Sequence, residues 1–397
     1  MGCCCKKRKG YAQYIKEDGK GKELEEKNPS KNNYEIIKEL GKGAFGEVFL
    51  VRLKSDKTKY FAMKKLIKKK FTKKPKLVKN ERDIWTRVKS PFVINIKKAF
   101  QDTENLYLVS EYAPGKDLYY HWNNMKPFSL DWTRFYIAEL ILALEDLHEE
   151  NIIHRDIKLE NILLDSEGHI KLTDFGFSKF LNDDNTFTLV GTRAYMAPEV
   201  FYKKGHNKTA DWWSVGILMF VMLEGSFSSF KFDCVGYCGG EEIFYKKPIF
   251  KKINDNDKDS INAKDLIQQF LIFDPKKRLG AGENGINNIK RHAFFEGIDW
   301  DSAKNKGLKP PFKPDIENIE EVKGRFDEVQ VNDDIYKKSE NYFWNFSFNA
   351  DSRKNTSDLK NDNNDNDNNN NENNDDNNNE KLLDKENNES SDKQLLY

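Results

Sequence analysis

The chain has 397 residues, of which 38% are hydrophobic and 33% are charged, so it is long enough for two domains or for one large bilobal domain with a sizeable core. Its formal net charge of +1 argues against a dedicated nucleic-acid-binding protein, because such proteins carry a basic excess. Three of the five cysteines are consecutive, which is not a disulfide framework and favours a reducing, cytoplasmic compartment, and no apolar run approaches the roughly 20 residues that a membrane span requires.

Residues 1–33 carry many charges and few apolar side chains and are predicted to form a flexible leader. The leader begins "MGCCCKKRKG", which exposes a glycine once Met1 is removed and continues with cysteines and a basic cluster. A myristoyl chain alone binds a membrane weakly, whereas palmitoyl groups or a polybasic patch make the attachment firm. Lys6 stands where serine or threonine is usual for myristoylation, so a solvated tail and adventitious metal binding stay open as alternatives. The pattern predicts attachment to a membrane surface through acylation at Gly2, Cys3, Cys4 and Cys5.

A strand-rich lobe is predicted from Tyr34 to about residue 110. The run "YEIIKELGKGAFGEVFLVRL" alternates apolar and polar residues on both sides of a glycine cluster, which is typical of a strand, a turn and a second strand. Further strands are predicted at "YFAMKKL" and "LYLVSEYA", with a helix at "KNERDIWTRV" between them.

The glycine cluster has the spacing G-x-G-x-x-G, at Gly41, Gly43 and Gly46. Dinucleotide-binding folds use this spacing at the start of a helix, but here a second strand follows. The glycines are therefore predicted to close a hairpin whose backbone N–H groups cover phosphates; a glycine-rich turn without a ligand is the alternative. Lys64 follows on the next strand, where its ammonium group could reach those phosphates. Glu81 on the following helix is the natural partner for a buried ammonium group.

After Asp117 the pattern turns mostly helical and predicts a second, larger lobe. "DWTRFYIAELILALEDLHEE" repeats apolar residues at helical spacing, with Asp131 as the expected N-cap, and "VGILMFVML" is predicted to be a buried helix. From Asp351 the chain is rich in asparagine and aspartate and has almost no apolar residues, so residues 351–397 are predicted to be disordered.

The stretch "IIHRDIKLEN" concentrates charged side chains between apolar runs, which marks a loop at a surface or a cleft. In this loop Asp156 is predicted to accept the proton of an attacking hydroxyl, and Lys158 to neutralise charge near a transferred phosphoryl group. Asn161 and, in "KLTDFGFSK", Asp174 are predicted to hold magnesium, which prefers carboxylate, amide and phosphate oxygens. Each residue alone could be a surface turn residue. Together, in this order, they supply the positioning and charge neutralisation that phosphoryl transfer needs.

This set of motifs resembles that of the eukaryotic protein kinases across residues 34–295. "LGKGAFGEV" resembles the glycine loop, "AMK" the strand-three lysine, "HRDIKLEN" the catalytic loop, and "DFG" and "APE" the ends of the activation segment. Lys158, two residues after the proton acceptor, is the serine/threonine-kinase pattern. Asp211 resembles the buried aspartate that steadies the catalytic loop, and Arg278 resembles the arginine that pairs with Glu199.

The resemblance implies an α+β bilobal protein-kinase fold. Its small β-rich N-lobe (about residues 34–110) has one key helix, and its larger C-lobe (about residues 111–295) is α-helical. It also implies ATP and Mg²⁺ as cofactors and proteins as substrates. The residues that the resemblance places around ATP are Leu40, Gly41, Lys42, Gly43, Ala44, Phe45, Gly46, Glu47, Val48, Ala62, Lys64, Glu81, Ser110, Glu111, Ala113 and Leu163.

Two features resemble the AGC group, which includes protein kinase A, protein kinase B and the S6 kinases. In "NTFTLVGTRAYMAPE", Thr188 stands four residues before Thr192, at the position that an upstream kinase phosphorylates in this group. A phosphate there is expected to pair with Arg155 and to order the loop. An unmodified threonine in a flexible loop is the alternative.

The second feature lies in residues 296–350, which resemble the C-terminal extension of the AGC group. "PPFKP" (310–314) and "FWNFSF" (343–348) resemble two of its segments, and Ser347 stands at the position that is phosphorylated there. The phenylalanines of the second segment need a groove to bury them, and the helix around Glu81 could form it. A stray aromatic cluster is the alternative.

Several positions depart from the family's pattern. Arg193 replaces the usual proline after Gly-Thr, "SSF" (228–230) replaces Pro-Pro-Phe, and Val221 replaces an acidic residue that reads substrate arginines in protein kinase A. Asp117 and Glu160 remain acidic, so a preference for basic residues near the target serine or threonine is an expectation that stays open.

Ser110 aligns with the residue that guards the back of the adenine pocket, a position that is commonly larger. A bulky ATP-competitive inhibitor is therefore expected to enter behind it.

The rival to an active kinase is a non-catalytic pseudokinase that acts as a membrane-tethered scaffold. Loss of Lys64, Asp156 or Asp174 would favour that rival, and all three are present.

Overall fold

The computed structural model describes residues 29–43, 46–72, 75–181, 185–227, 230–238, 241–253, 257–316 and 346–349. In these residues the strands are β1 (Tyr34–Lys42), β2 (Gly46–Leu53), β3 (Asp56–Ile67), β4 (Ile96–Gln101), β5 (Asn105–Glu111), β6 (Ile152–Ile153), β7 (Ile162–Leu164), β8 (Ile170–Leu172), β9 (Lys179–Phe180), β10 (Phe230–Cys238), β11 (Glu241–Pro248) and β12 (Phe348–Asn349). The α-helices are α1 (Lys68–Phe71), α2 (Pro75–Arg87), α3 (Leu118–Met125), α4 (Leu130–Glu149), α5 (Pro198–Phe201), α6 (Thr209–Glu224), α7 (Lys258–Phe270), α8 (Gly285–Lys290) and α9 (Trp300–Lys304).

The small lobe is built on an antiparallel sheet with the strand order β1-β2-β3-β5-β4-β12. Burial does not alternate strictly along these strands, because β5, which lies between β3 and β4, is buried at every position from Asn105 to Ser110. The register places Val48 of β2 opposite Lys64 of β3, and Ala62 of β3 opposite Ser110 of β5. Sequence-distant positions of the predicted nucleotide site therefore share neighbouring strands.

The last strand of this sheet comes from far along the chain, because β12 pairs antiparallel with β4, with Phe348 opposite Ala99. Phe346, just before β12, is fully buried, and the guanidinium of Arg82 on α2 lies 5.5 Å from its ring centroid. The groove that receives these aromatic side chains thus combines a sheet edge with the helix that carries Glu81. Strand addition also satisfies backbone groups that the edge of β4 would leave unpaired.

Two long helices form the centre of the large lobe. The helix α6 is buried along its whole length, as "VGILMFVML" predicts, and it ends at Gly225, whose φ of 72° closes the helix in the left-handed conformation. The helix α4 buries every side chain from Ile137 to Leu144. Within the described part of the chain, no helix combines the length and the apolar character needed to cross a bilayer.

The start of α4 differs from the prediction, because Asp131 is not its N-cap. Ser129 occupies that position, and its hydroxyl accepts a hydrogen bond from the backbone N–H of Trp132. Asp131 lies in the first turn, where its carboxylate is 2.8 Å from Arg134. Serine and aspartate both cap helices well, so the sequence alone did not decide between two candidates so close together.

A buried ion pair joins α5 to the loop after α7. The guanidinium of Arg278 donates parallel hydrogen bonds of 2.6 and 2.9 Å to the carboxylate of Glu199, as the resemblance implies, and another of 2.9 Å to the carbonyl of Thr209 at the start of α6. Both charged groups are buried. Because a buried charge without its partner is costly, this pair holds the end of the activation segment against the two helices.

The segments that flank the large lobe have distinct structures. Phe312 of "PPFKP" stacks on Trp132, with ring centroids 5.0 Å apart, and packs at 4.9 Å against His121. The atypical stretch after α6 forms a hairpin of β10 and β11, with Phe230 paired to Pro248. The described architecture is the predicted α+β bilobal fold, with a β-rich small lobe and a helical large lobe.

Candidate active site

The glycine hairpin forms between β1 and β2, as predicted. Gly43 and Gly46 exchange backbone hydrogen bonds of 2.9 and 3.3 Å. A Cβ atom at Gly46 would lie 2.0 Å from the carbonyl oxygen of Lys65, so only glycine fits there. Around Gly41 and Gly43 a Cβ atom would meet no described atom within 4 Å, which leaves the hairpin's backbone accessible. The predicted contacts Ala44 and Phe45 lie outside the described residues.

Lys64 links the two lobes through its ammonium group. Its Nζ lies 2.7 Å from Glu81 Oε1 on α2 and 3.3 Å from Asp174 Oδ1 in the DFG triplet. Burial lowers the pKa of Lys64, but the charges of Asp174 and Glu81 outweigh burial and raise that pKa above its usual value. In return, the Lys64 ammonium lowers the pKa of Asp174, so this carboxylate stays ionised.

Asp156 is held in a full set of hydrogen bonds on the opposite side of the cleft. Its Oδ1 accepts from the backbone N–H and the hydroxyl of Thr192, at 2.9 and 2.7 Å. Its Oδ2 lies 3.0 Å from Asn161 Nδ2 and 2.9 Å from Lys158 Nζ. Burial lowers the pKa of Lys158, but the charge of Asp156 and the hydrogen bond to it outweigh burial and raise that pKa above its usual value. The ammonium group therefore stays charged. The side chain of Asp156 is almost wholly buried and points in one fixed direction.

The catalytic loop is anchored from below by Asp211 of α6. Its Oδ1 accepts from the backbone N–H of Arg155 and its Oδ2 from the backbone N–H of His154, at 2.9 and 3.0 Å. His148 at the end of α4 contacts the same carboxylate at 2.9 Å. Arg155 has a φ of 68°, an uncommon conformation for a non-glycine residue, and the fully buried Asp211 holds it there.

The DFG triplet is fixed by the packing of its phenylalanine. Phe175 is fully buried between Trp85 of α2 and His154 of the catalytic loop, with ring centroids at 5.8 and 5.3 Å. Asp174 has a φ of 65°, which turns its carboxylate out of the core toward Lys64. One aromatic contact therefore couples the position of α2 to that of the predicted metal ligand.

The predicted adenine end of the site lies at the connection between the lobes. Ser110 is buried, and its hydroxyl donates to the carbonyl of Glu111 at 3.2 Å. The carboxylate of Glu111 accepts a hydrogen bond from Lys171 Nζ at 2.7 Å, so the Glu111 side chain is bound to the large lobe. Ala62 and Leu163 are half-buried, on strands of opposite lobes. The other predicted contacts with half-buried or exposed side chains are Leu40, Lys42, Glu47 and Val48, whereas Ala113 is buried.

Two oxygen ligands fit a magnesium ion. The amide nitrogen of Asn161 donates to the backbone carbonyl and the carboxylate of Asp156, which leaves the amide oxygen as the atom for a metal. Asp174 contributes an ionised carboxylate. No group of three or more potential metal-binding His, Cys, Asp or Glu side chains occurs in the described residues. Phosphate oxygens would have to complete the coordination, which is how magnesium is usually held beside nucleotides.

The predicted phosphorylation sites lie on two different segments. Thr188 is half-buried in the activation segment, and Ser347 is exposed between the buried Phe346 and β12. Phe343 of the same motif lies outside the described residues, as do the predicted acylation sites Gly2, Cys3, Cys4 and Cys5.

Sequence reasoning missed two contacts in the site. Thr192 was noted only for its spacing from Thr188, yet it makes two hydrogen bonds to Asp156 and receives one from Lys158 at 3.0 Å. The contact of Lys64 with Asp174 was also unforeseen. Both contacts join segments far apart in sequence, and no periodicity or local spacing signals such a meeting. The Gly-Thr pair within the activation segment was the available hint for Thr192.

The small lobe contributes a glycine hairpin and the pair of Lys64 and Glu81. The helical lobe contributes Asp156, Lys158 and the oxygen ligands of Asn161 and Asp174. This combination defines a protein of the protein kinase class. The protein kinase domain family matches residues 34–295, and the chain belongs to this family.

The chain is similar to several serine/threonine kinases. It is 43% identical over 301 residues to a probable serine/threonine-protein kinase of Dictyostelium discoideum, which covers 75% of this chain and 64% of the relative. It is 40% identical over 305 residues to cAMP-dependent protein kinase catalytic subunit 3 of Drosophila melanogaster, covering 76% of this chain and 50% of the relative. Ribosomal protein S6 kinase alpha-2 of Mus musculus is 40% identical over 322 residues, covering 78% and 43%.

These relatives include two of the three AGC types that the motifs resemble, the cAMP-dependent and the S6 kinases, so the recognition of an AGC-type serine/threonine kinase is confirmed. The chain spans between 43% and 64% of the length of these three relatives.

Proposed function

We propose that the protein transfers the γ-phosphate of ATP to serine or threonine hydroxyls of protein substrates. The observation that carries this proposal is the geometry at Asp156, a buried carboxylate whose neighbours include the Lys158 ammonium at 2.9 Å. A proton acceptor beside a cation suits a reaction in which a hydroxyl loses its proton while negative charge moves through a phosphoryl group.

The four hydrogen bonds to Asp156 suggest how a substrate hydroxyl is received. A carboxylate has about four lone-pair sites, and the donors from Thr192, Asn161 and Lys158 use all of them. Lys158 is the most mobile donor, because its ammonium group sits on a flexible stem. When substrate binds, Lys158 turns to the phosphoryl oxygens and frees Oδ2 of Asp156 for the incoming hydroxyl, while Thr192 and Asn161 keep the carboxylate in place.

The remaining groups bind and orient ATP. Lys64, held by Glu81, would contact the phosphates beneath the glycine hairpin, and Asn161 and Asp174 would hold magnesium. Bound magnesium neutralises phosphate charge and aligns the terminal phosphoryl group. Because Lys64 keeps Asp174 ionised, the metal ligand is ready without losing a proton.

The test is phosphate transfer from ATP to serine, threonine and tyrosine peptides by the 397-residue chain. We expect transfer to serine and threonine peptides, none to tyrosine, and loss of transfer when EDTA removes magnesium. ATP binding without any transfer, even with Thr188 phosphorylated, would favour the scaffold instead. The same assay, with peptides that differ in basic residues near the target, tests the expected preference for such residues. The exposed carboxylate of Glu160 could pair with a basic side chain of the peptide. Asp117 is half-buried, and its Oδ1 caps α3 by accepting from Tyr120 N–H at 2.8 Å.

Regulation by an upstream kinase acting at Thr188 and Ser347 is part of the proposal. The exposure of Ser347 leaves its hydroxyl accessible while Phe346 beside it is buried against Arg82. A phosphate at Ser347 would add charge next to a contact with α2, the helix that carries Glu81. Phosphate mapping of the protein from cells, with each site replaced by alanine in turn, tests both positions; absence of phosphate at both would contradict this part.

Enlarging Ser110 is expected to block bulky inhibitors of the ATP site. The serine side chain is small and buried opposite Ala62, so an inhibitor with a large substituent has room behind the adenine position, and Ser110→Met fills that room. We expect the half-inhibitory concentration of a bulky-substituted ATP-competitive inhibitor to rise by at least about tenfold in Ser110→Met, since a buried group of that size contributes about 1.5–3 kcal/mol. Equal potency against both proteins would rule out this pocket.

Attachment to membranes is proposed through Gly2 and the cysteines that follow it. A combined variant with Gly2→Ala and Cys3–Cys5→Ser is expected to move from the membrane fraction to the soluble fraction of cells, because two lipid signals are needed for firm binding. Metabolic labelling with myristate and palmitate analogues measures the modification directly. A variant with only Cys234→Ser is the matched control and should distribute like the wild type; an unchanged distribution of the combined variant would remove this part of the proposal.

A further inference from the structure

His206 is a buried side chain that the proposed chemistry does not use. It lies between α5 and α6 and is 2% exposed, yet neither of its ring nitrogens has a hydrogen-bond partner among the described residues. Nη1 of Arg155 is likewise buried and unpartnered within the described part of the chain. Buried polar atoms usually have a hydrogen-bond partner, so these three nitrogens indicate a polar partner that has still to be identified.

The backbone places His206 beside the activation segment. Thr186 and His206 form an antiparallel bridge in which each N–H donates to the other's carbonyl at 2.8 Å. Residues directly opposite each other in such a pair project their side chains to the same face. Both side chains are buried, so this shared face is the inner one.

The alternation continues toward the predicted phosphorylation site. Phe187, the next residue, is 60% exposed, and its ring packs over Gly205, where a Cβ atom would meet it at 2.8 Å. That is the outer face of the bridge. Thr188, two residues beyond Thr186, is half-buried whereas Phe187 between them is exposed, so we place the Thr188 side chain on the inner face with Thr186 and His206.

The inner face is rich in positive charge. Nζ of Lys179 donates to the Thr186 hydroxyl at 3.2 Å, and Nε of Arg155 donates to the carbonyl of Phe177 at 2.6 Å, which leaves its Nη1 free to meet another acceptor. Burial, together with the charges of Arg155 and Lys179, lowers the pKa of His206 to about 3, against an opposing effect of Asp211. The carboxylate of Asp211 is already engaged by the N–H groups of the catalytic loop and by His148.

We infer that His206 is a ligand of the phosphate on phosphorylated Thr188, and that it completes a three-sided anion site with Arg155 and Lys179. This inference rests on the proposed phosphorylation of Thr188. A phosphothreonine brings nearly two negative charges and three strong acceptor oxygens, enough for one donor from each of the three side chains. Its charge makes protonation of the imidazole favourable, so the unpartnered ring gains a partner at the moment the segment is modified.

The site ties the activation segment to the chain between α5 and α6. Arg155 stands next to Asp156, so the phosphate would contact the residue adjacent to the proton acceptor, and His206 would hold it from the opposite side. A phosphate held on three sides is poorly accessible to a phosphatase. His206 therefore prolongs the phosphorylated state in addition to ordering the segment.

The experiment uses the 397-residue chain with phosphothreonine incorporated at position 188, in the wild type, His206→Phe and His206→Gln. Phenylalanine fills the buried space without a donor, whereas glutamine keeps one. The first measurement is the initial rate at which a broad-specificity phosphatase removes the phosphate. We expect release to be about tenfold faster from His206→Phe, the loss corresponding to one charge-assisted hydrogen bond, and intermediate from His206→Gln.

The second measurement is the ¹⁵N signal of the His206 ring in the wild-type chain, with and without the phosphate. Phosphorylation is expected to shift it toward imidazolium values, which a purely structural role would not do. Equal release from wild type and His206→Phe, both slower than from a free peptide of residues 185–191, would overturn the inference while leaving the role of Thr188 intact. Release from the wild type as fast as from that peptide would instead remove the proposed ordering role of Thr188, and the inference with it.

Discussion

Replacing Asp156 with asparagine is expected to lower kcat for peptide phosphorylation by about a hundred- to ten-thousandfold, the range that a positioned proton acceptor supplies. Asparagine keeps the size of the side chain and can still accept from Thr192 at Oδ1, where the carboxylate now receives bonds of 2.9 and 2.7 Å. It cannot take a proton from a substrate hydroxyl. The measurement is steady-state phosphate transfer to a serine peptide under saturating ATP.

The interpretation of this variant depends on an intact ATP site. Asp156 contacts other side chains of the loop, so ATP affinity should remain within a few fold of the wild type and is measured by titration calorimetry. Asp131→Asn is the matched control, because Asp131 is a highly exposed surface aspartate that pairs only with Arg134 among the interactions described here, and full activity is expected. Transfer by Asp156→Asn at a rate close to that of the wild type would assign the proton acceptor to another residue.

Local patterns in the sequence were sufficient to predict much of the framework of the small lobe. Alternating residues around Gly41, Gly43 and Gly46 predicted β1, the hairpin and β2. The strand that carries Ser110 was found close to its observed bounds, whereas β3 begins at Asp56, before the predicted strand, and β4 was not predicted. The features that were predicted depend on contacts between near neighbours in sequence, and periodicity reports such contacts directly. The buried helix α6 was predictable for the same reason.

Contacts made at long range were beyond the reach of such patterns. The edge strand β12 joins β4 across about 250 residues of chain, and a two-residue strand has no periodicity to detect. The meeting of Thr192 with Asp156, and the bridge between Thr186 and His206, also join separate loops. The resemblance to the kinase family predicted roles for Asp156 and Asp174. The side chains that orient them, Thr192 and Lys64, were identified only from the structure.

The helix α2 emerges as the element shared by several of these sites. One turn of it holds Glu81, which pairs with Lys64, and Arg82, which covers Phe346 of the C-terminal segment. Trp85, one turn later, packs against Phe175 of the DFG triplet. A shift of α2 would therefore change the nucleotide site, the metal ligand and the docked segment together. This arrangement would connect the proposed phosphorylation of Ser347, next to Phe346, to the cleft.

Replacing Lys64 with methionine is expected to lower kcat/KM for phosphate transfer by about a hundred- to thousandfold, the cost of losing one charged group that stabilises a transition state. Methionine keeps the unbranched stem but removes the charge that lies 2.7 Å from Glu81 and 3.3 Å from Asp174. The phosphates lose a cation, and the pKa of Asp174 rises because the Lys64 charge is the main cause that lowers it. As the pH is lowered, magnesium affinity should then begin to fall at a higher pH than in the wild type.

Lys65 provides the matched control for this prediction. It is the next residue on β3, so its side chain projects to the other face of the strand, where it lies 3.7 Å from Glu47 in a partly exposed ion pair. Such pairs contribute at most about 1 kcal/mol, so Lys65→Met should keep its activity within a few fold of the wild type. If both variants lost activity equally, the loss would reflect damage to β3 as a whole. If neither lost activity, the ammonium of Lys64 would have no part in holding the transferred phosphate, and the alignment of ATP would have to rest on the glycine hairpin and magnesium alone.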